Sequence, residues 1–193
     1  MTNNININEL RDRAYKCAKA HGWHDTELSD EHFLWLIITE LAEATNAHRC
    51  NKRANTEDYN SRMNYYNTQN LEPDVYNYAF KNQYSFFIKD SFEDELADAC
   101  IRLLDLAGLR NLDLSYINNM IGQMKTVTDT WTEFCLKTAF MLSHEEQPLQ
   151  AKILYILGGT IDYSMQNNID ILWYVERKMK YNELRLYKHD KLY

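Results

Sequence analysis

The sequence predicts an all-α fold, one helical domain over residues 1–193, and three observations carry that expectation. Glycine and proline are scarce, 5 and 2 in 193 residues, against a combined share of roughly 12% in an average chain, so tight turns are few. Apolar residues recur at helical spacing over stretches longer than a strand. Those stretches are bracketed by capping residues, serine or aspartate before and glycine after. With 45% hydrophobic residues, a chain of this length buries a core of its own.

Residues 5–20 form the first expected helix, closed by His21-Gly22, where glycine admits the left-handed conformation of a C-cap. Ser29 and Asp30 cap a second helix running to about Arg49. Residues 51–90 then lose the 3.6-residue period and hold eight Asn, six Tyr and Pro73, so an insertion is expected there. Ser91, with Asp94 three residues on, is an acidic variant of the capping box and starts a third helix ending at Gly108. Leu114 to Ser143 and Leu149 to Gln166 read as further helices broken around Pro148, additions spanning 114–169. Asp170 caps the last helix, expected to reach about Lys188.

Charge narrows the class of protein. The balance of 21 basic and 28 acidic residues is −7, with no basic cluster, which opposes a nucleic-acid partner. The longest apolar run, Phe33 to Ile38, is far below the roughly 20 residues that span a bilayer, so no membrane partner is expected. Glu9 and Asp12 stand where an export signal carries its apolar stretch, which points to the cytoplasm. Cys17, Cys50, Cys100 and Cys135 form no CxxC pair and read as buried free thiols.

Two segments concentrate the chemistry. Glu40 and Glu43 in ITELAEA, and Glu95 and Asp98 in EDELADA, each put two acids at i and i+3 on one helix face. Glu40 shares its face with Phe33, Leu36, Ala44 and Ala47, and Glu95 lies beside Phe92, Ala99 and Leu106, so both acids point where core residues point. Converging buried carboxylates are costly without a cation between them. The plainer alternative pairs Asp98 with Arg102 at i+4 and leaves Glu43 in solvent. A di-iron centre is disfavoured, because none of the six histidines follows a glutamate by three residues, as such sites require. All-oxygen ligation favours Mg2+ or Mn2+, which usually meet substrate phosphates. On the last helix Lys178, Tyr181, Asn182 and Arg185 form one stripe beside an apolar seam of Leu172, Val175, Met179 and Leu186. The stripe is suited to phosphate and sugar, or is simply a solvated basic face near a helix C-terminus.

Taken together, these segments resemble the MazG-like family of all-α nucleoside triphosphate pyrophosphohydrolases, relatives of the dimeric dUTPases. The resemblance rests on Glu40-Leu41-Ala42-Glu43, on Glu95-Leu96-Ala97-Asp98, and on Lys178-Met179-Lys180-Tyr181-Asn182-Glu183-Leu184-Arg185 followed by His189-Asp190-Lys191. Matched segments span 5–49, 89–113 and 170–191. It implies Mg2+-dependent hydrolysis, with Mn2+ as a substitute, of a (deoxy)nucleoside triphosphate to the monophosphate and pyrophosphate, as in house-cleaning of the nucleotide pool. Glu40, Glu43, Glu95 and Asp98 would then be the metal-binding and catalytic residues. Lys178, Tyr181, Asn182 and Arg185 would bind substrate, in a homodimer or higher homo-oligomer. The chain departs from the family pattern in the long gap between Glu43 and Glu95, in Thr39, and in Asp190 where glycine is customary. Against the enzyme stand two other classes, a non-catalytic nucleotide- or metal-binding protein and a helical interaction protein.

Overall fold

In a computed structural model the described residues, 6–123 and 130–187, are all-α: among them are nine helices and no strand. In order they are α1 (Ile7–Ala20), α2 (Asp30–Arg49), α3 (Thr56–Thr68), α4 (Pro73–Phe87), α5 (Phe92–Leu109), α6 (Ile117–Met120), α7 (Trp131–Ser143), α8 (Leu149–Gln166) and α9 (Ile171–Glu183). None is long and apolar enough to cross a membrane.

The centre is α5, which packs against α1, α2, α8 and α9. Thirteen of its 18 residues are buried, so it is covered on nearly every side, as a core helix must be. Its N-terminus is set by Ser91, whose hydroxyl accepts the Asp94 backbone N–H at 3.2 Å. Ser29 does the same for α2 with His32 at 3.3 Å, and Asp170 for α9 with Trp173 at 3.1 Å. These caps satisfy donors that the first helical turn leaves orphaned. They also fix where each helix starts, hence which face its acids present.

Residues 51–90 are a helical hairpin, which corrects the expected irregular insertion. Pro73 does not break α4 but stands at its first position, where its missing N–H costs nothing. Asn55 caps α3 by accepting the Asp58 N–H. The hairpin buries Tyr59, Met63, Phe80, Tyr84 and Ile88 in the common core. Its ends are tied, since Asn55 N–H donates to the Phe87 carbonyl at 2.8 Å and Phe92 N–H to that of Lys52 at 2.9 Å.

Three boundaries also differ from expectation. Gly108 does not end α5 but lies within it, and the turn that follows uses Asn111 at φ +52°. Of the helix expected from Leu114 to Ser143, the structure holds the single turn of α6, Gly122 at φ +78° and α7, while residues 124–129 lie outside the described residues. α9 closes at Glu183, so Leu186 falls outside the expected seam and is exposed, while Val175 and Met179 enter the core. Of the four free thiols Cys100 is buried and Cys50 exposed, which corrects the reading of all four as buried.

Candidate metal centre

α2 and α5 pack along their lengths and bring three acids together. Glu40, Glu95 and Asp98 each offer a carboxylate oxygen, and these oxygens all lie within 4.8 Å of one another. Glu40 is 8% exposed and Glu95 7%. Glu43, one turn along α2, lines the same cleft but is exposed and stands outside the trio. The expected set of four is therefore three clustered acids and one at the rim.

Two cations meet this cluster. Arg102 Nε donates to Glu40 Oε1 at 3.0 Å, so the arginine serves the acid across the helix interface and not Asp98 at i−4. Lys178, 4% exposed, reaches from α9 and places Nζ 2.8 Å from Asp94 Oδ2 and 2.7 Å from Asp98 Oδ2. The fully buried Asp94 also accepts the Tyr84 hydroxyl and, at 2.9 Å, the Asp90 backbone N–H. Asp94, in the sequence a capping acid, is in the structure a residue of the site. Its i,i+4 spacing to Asp98 was the available signal. A second acidic trio, Asp90, Asp94 and Glu95, offers less, because these partners already occupy the Asp94 oxygens.

Electrostatics follow from burial. Desolvation, reinforced by the Asp98 charge, pushes the Glu95 carboxyl up to about 8. Glu40 is raised for the same two reasons, with Arg102 opposing. Burial also raises Asp94, opposed chiefly by Lys178. For Lys178 burial works against the ammonium, but the charges of Asp98 and Asp94 override it and hold the group well above its ordinary value. Along the cleft Glu40, Glu43, Asp90, Glu95, Asp98 and Asp105 stand against Lys89, Arg102, Lys178 and Arg185. The Glu95 carboxyl has no hydrogen bond or ion pair among the described residues. A nearly buried acid whose side chain has no partner, in an all-oxygen set, could hold a metal ion.

The trio opens into a cleft of about 180 Å³, walled by α1, α2, α5 and α9. Lys178, Asn182 and Arg185 line it, but Tyr181 does not. The Tyr181 ring stacks on Tyr84 with centroids 4.7 Å apart, so the expected stripe divides into three cleft residues and one packing residue. Arg185 is held through its backbone, its carbonyl lying 3.1 Å from His21 Nε2. His189, Asp190 and Lys191 lie outside the described residues. Further along the cleft, Asp105 Oδ1 is 2.7 Å from His24 Nε2. Burial raises this carboxyl, and His24 opposes the shift.

Compared with known proteins, the chain matches no family profile, no curated protein and no solved structure.

Proposed function

We propose that the protein is a Mg2+-dependent nucleoside triphosphate pyrophosphohydrolase of the MazG-like kind. The observation that carries the reading is Glu95: nine-tenths buried, unpartnered, and clustered with Glu40 and Asp98 in a cleft whose far wall carries Asn182 and Arg185. A bound divalent cation supplies neutralisation of phosphate charge and a more acidic water. Glu40, Glu95 and Asp98 would hold it, with Glu43 at the rim. Arg102 orients Glu40 through its hydrogen bond, and Lys178 holds Asp98 through Oδ2. Arg185 provides a planar donor fork for phosphate oxygens, and Asn182 lies beside it as a neutral donor and acceptor.

Exposed Trp35, Phe86, Leu136 and Phe140 support assembly into a homodimer or higher homo-oligomer. The test of activity is pyrophosphate release across the common ribo- and deoxyribonucleoside triphosphates with Mg2+, with an EDTA control. Release that is absent, or indifferent to EDTA, rejects the reading. A second reading, a helical interaction protein, is favoured by the Lys178 and Arg102 ion pairs, which balance part of the acidic cluster from within the chain. Failure of Mg2+ and Mn2+ to bind at all would select it.

A further inference from the structure

Among the described residues, Asp105 is the one buried acid lining the cleft that the metal centre leaves unused. It is 6% exposed and lies on α5 seven residues beyond Asp98, roughly 10 Å along the helix axis at 1.5 Å per residue. Seven residues is nearly two turns, so both acids face the same cleft. That separation is about the reach from a phosphate held at the trio, across a sugar, to the edge of a base.

Its two oxygens have different surroundings. Oδ1 is 2.7 Å from His24 Nε2, and the His24 ring is itself held between Tyr15, at 5.3 Å, and Phe33, at 5.8 Å. The carboxylate is thereby fixed in orientation. Oδ2 has no partner among the described residues, while Asp105 lines the cleft. Burying an acid is costly unless its acceptor capacity is used. The surrounding wall is contributed by Ala14, Cys17 and Ala18 of α1 and by Trp23, small or flat side chains that leave room for a planar ring.

We infer that Asp105, anchored by His24, is the specificity residue for the nucleobase, selecting a base that carries an exocyclic amino group. The inference rests on the proposed triphosphate reading of the same cleft. A fixed acceptor oxygen reads a donor: the amino group of cytosine, adenine or guanine can donate to Oδ2. Uracil and thymine instead present one ring N–H between two carbonyl oxygens, and those oxygens meet the carboxylate with repulsion. A site built around one buried hydrogen bond discriminates well because the wrong ligand leaves it unmade.

The cytosine and uracil nucleotides are nearly isosteric and differ at the edge that Asp105 reads, so they make the test. In Mg2+, the wild-type protein should favour dCTP over dUTP by about tenfold or more in kcat/KM, mainly through KM. By titration calorimetry it should bind dCMP more tightly than dUMP by a similar factor. Asp105→Asn, whose side chain can donate as well as accept, should bring both ratios to within about threefold and leave binding of Mg2+-pyrophosphate unchanged. Equal use of dCTP and dUTP by the wild type, or ratios unmoved in the variant, overturns the assignment. If the variant does not fold, the wild-type dCMP and dUMP titrations decide alone. Preference for dCMP without turnover of any triphosphate rejects the hydrolase and keeps the base reader. Turnover without base preference rejects the base reader and keeps the hydrolase.

Discussion

Lys178 on α9 bridges Asp94 and Asp98, one turn apart on α5, with Nζ 2.8 Å and 2.7 Å from their Oδ2 atoms. The lysine expected to grip phosphate is a buried counter-ion that pins α9 to the central helix and sets the far wall of the cleft.

This separates the two basic residues of the stripe. Removing one partner of a buried ion pair leaves uncompensated charge and costs about 3–5 kcal/mol, so Lys178→Met should lower stability by that order. Arg185 is half-buried and makes no ion pair among the described residues. Arg185→Ala should melt almost as the wild type does yet bind nucleotide about tenfold more weakly, the worth of one charge-assisted hydrogen bond. Lys180 sits over the rings of Tyr76 and Phe80 at 4.5 Å and 4.6 Å and does not line the cleft, so Lys180→Ala is the charge-matched control. A wild-type melting curve for Lys178→Met contradicts the buried bridge. Equal losses of nucleotide binding in Lys180→Ala and Arg185→Ala contradict the phosphate grip.

The acids should also rank. A ligand that binds only the folded state stabilises it by RT ln(1 + [L]/Kd), about 2.7 kcal/mol at 100 times Kd. Mg2+ or Mn2+ should raise the melting temperature accordingly, and Na+ at matched ionic strength should not. Glu40→Gln, Glu95→Gln and Asp98→Asn should abolish most of this rise and most turnover. Glu43→Gln, outside the trio, should keep more of the metal effect. The same metal-induced shift in all four variants and the wild type would remove the trio as the binding site.

In the metal-free protein the buried Glu95 makes stability depend on pH. Its folded-state value lies near 8 against an ordinary 4.5, so between these limits the folded protein keeps a proton that the unfolded chain releases. The resulting stability is fully present below about pH 4.5 and is lost as pH rises through about 8. Glu40 is shifted in the same direction. Glu95→Gln, neutral throughout, should be more stable than the wild type at pH 8 and show a shallower decline from pH 5 to 8. Urea denaturation with EDTA present measures both, and parallel profiles would show that Glu95 does not hold its proton in the fold.

The acid pairs were legible because i,i+3 spacing and apolar neighbours place Glu40 and Glu95 on core-facing helix surfaces, whatever the packing. The bridge from Lys178 was not, since it depends on how α9 docks onto a helix some 80 positions earlier. The hairpin of α3 and α4 is hidden in the sequence because its buried face is built from Tyr59, Phe80 and Tyr84 scattered among asparagines, which blurs the apolar period. Nor is the contact between Asp105 and His24 legible, because His24 belongs to the loop between α1 and α2, 81 positions earlier.

Gly108 tests that packing directly. Read locally it is a C-cap, yet it lies inside α5 against α1: an added Cβ would be 2.5 Å from Tyr15 Cβ and 3.1 Å from the Arg11 carbonyl oxygen. Helix propensity alone would make Gly108→Ala stabilising by about 1 kcal/mol. Tyr15 Cβ and a backbone carbonyl cannot swing aside as a side-chain tip does, so relief requires α1 to shift against α5, and such overpacking costs typically about 1–3 kcal/mol. The clash should win, lowering the melting temperature by a few degrees. Because Tyr15 also packs against His24, the shift should loosen the His24–Asp105 contact and perturb the His24 ring signals in NMR. A variant as stable as the wild type, or more so, with unchanged His24 signals would show that α1 does not seat on α5 at this distance.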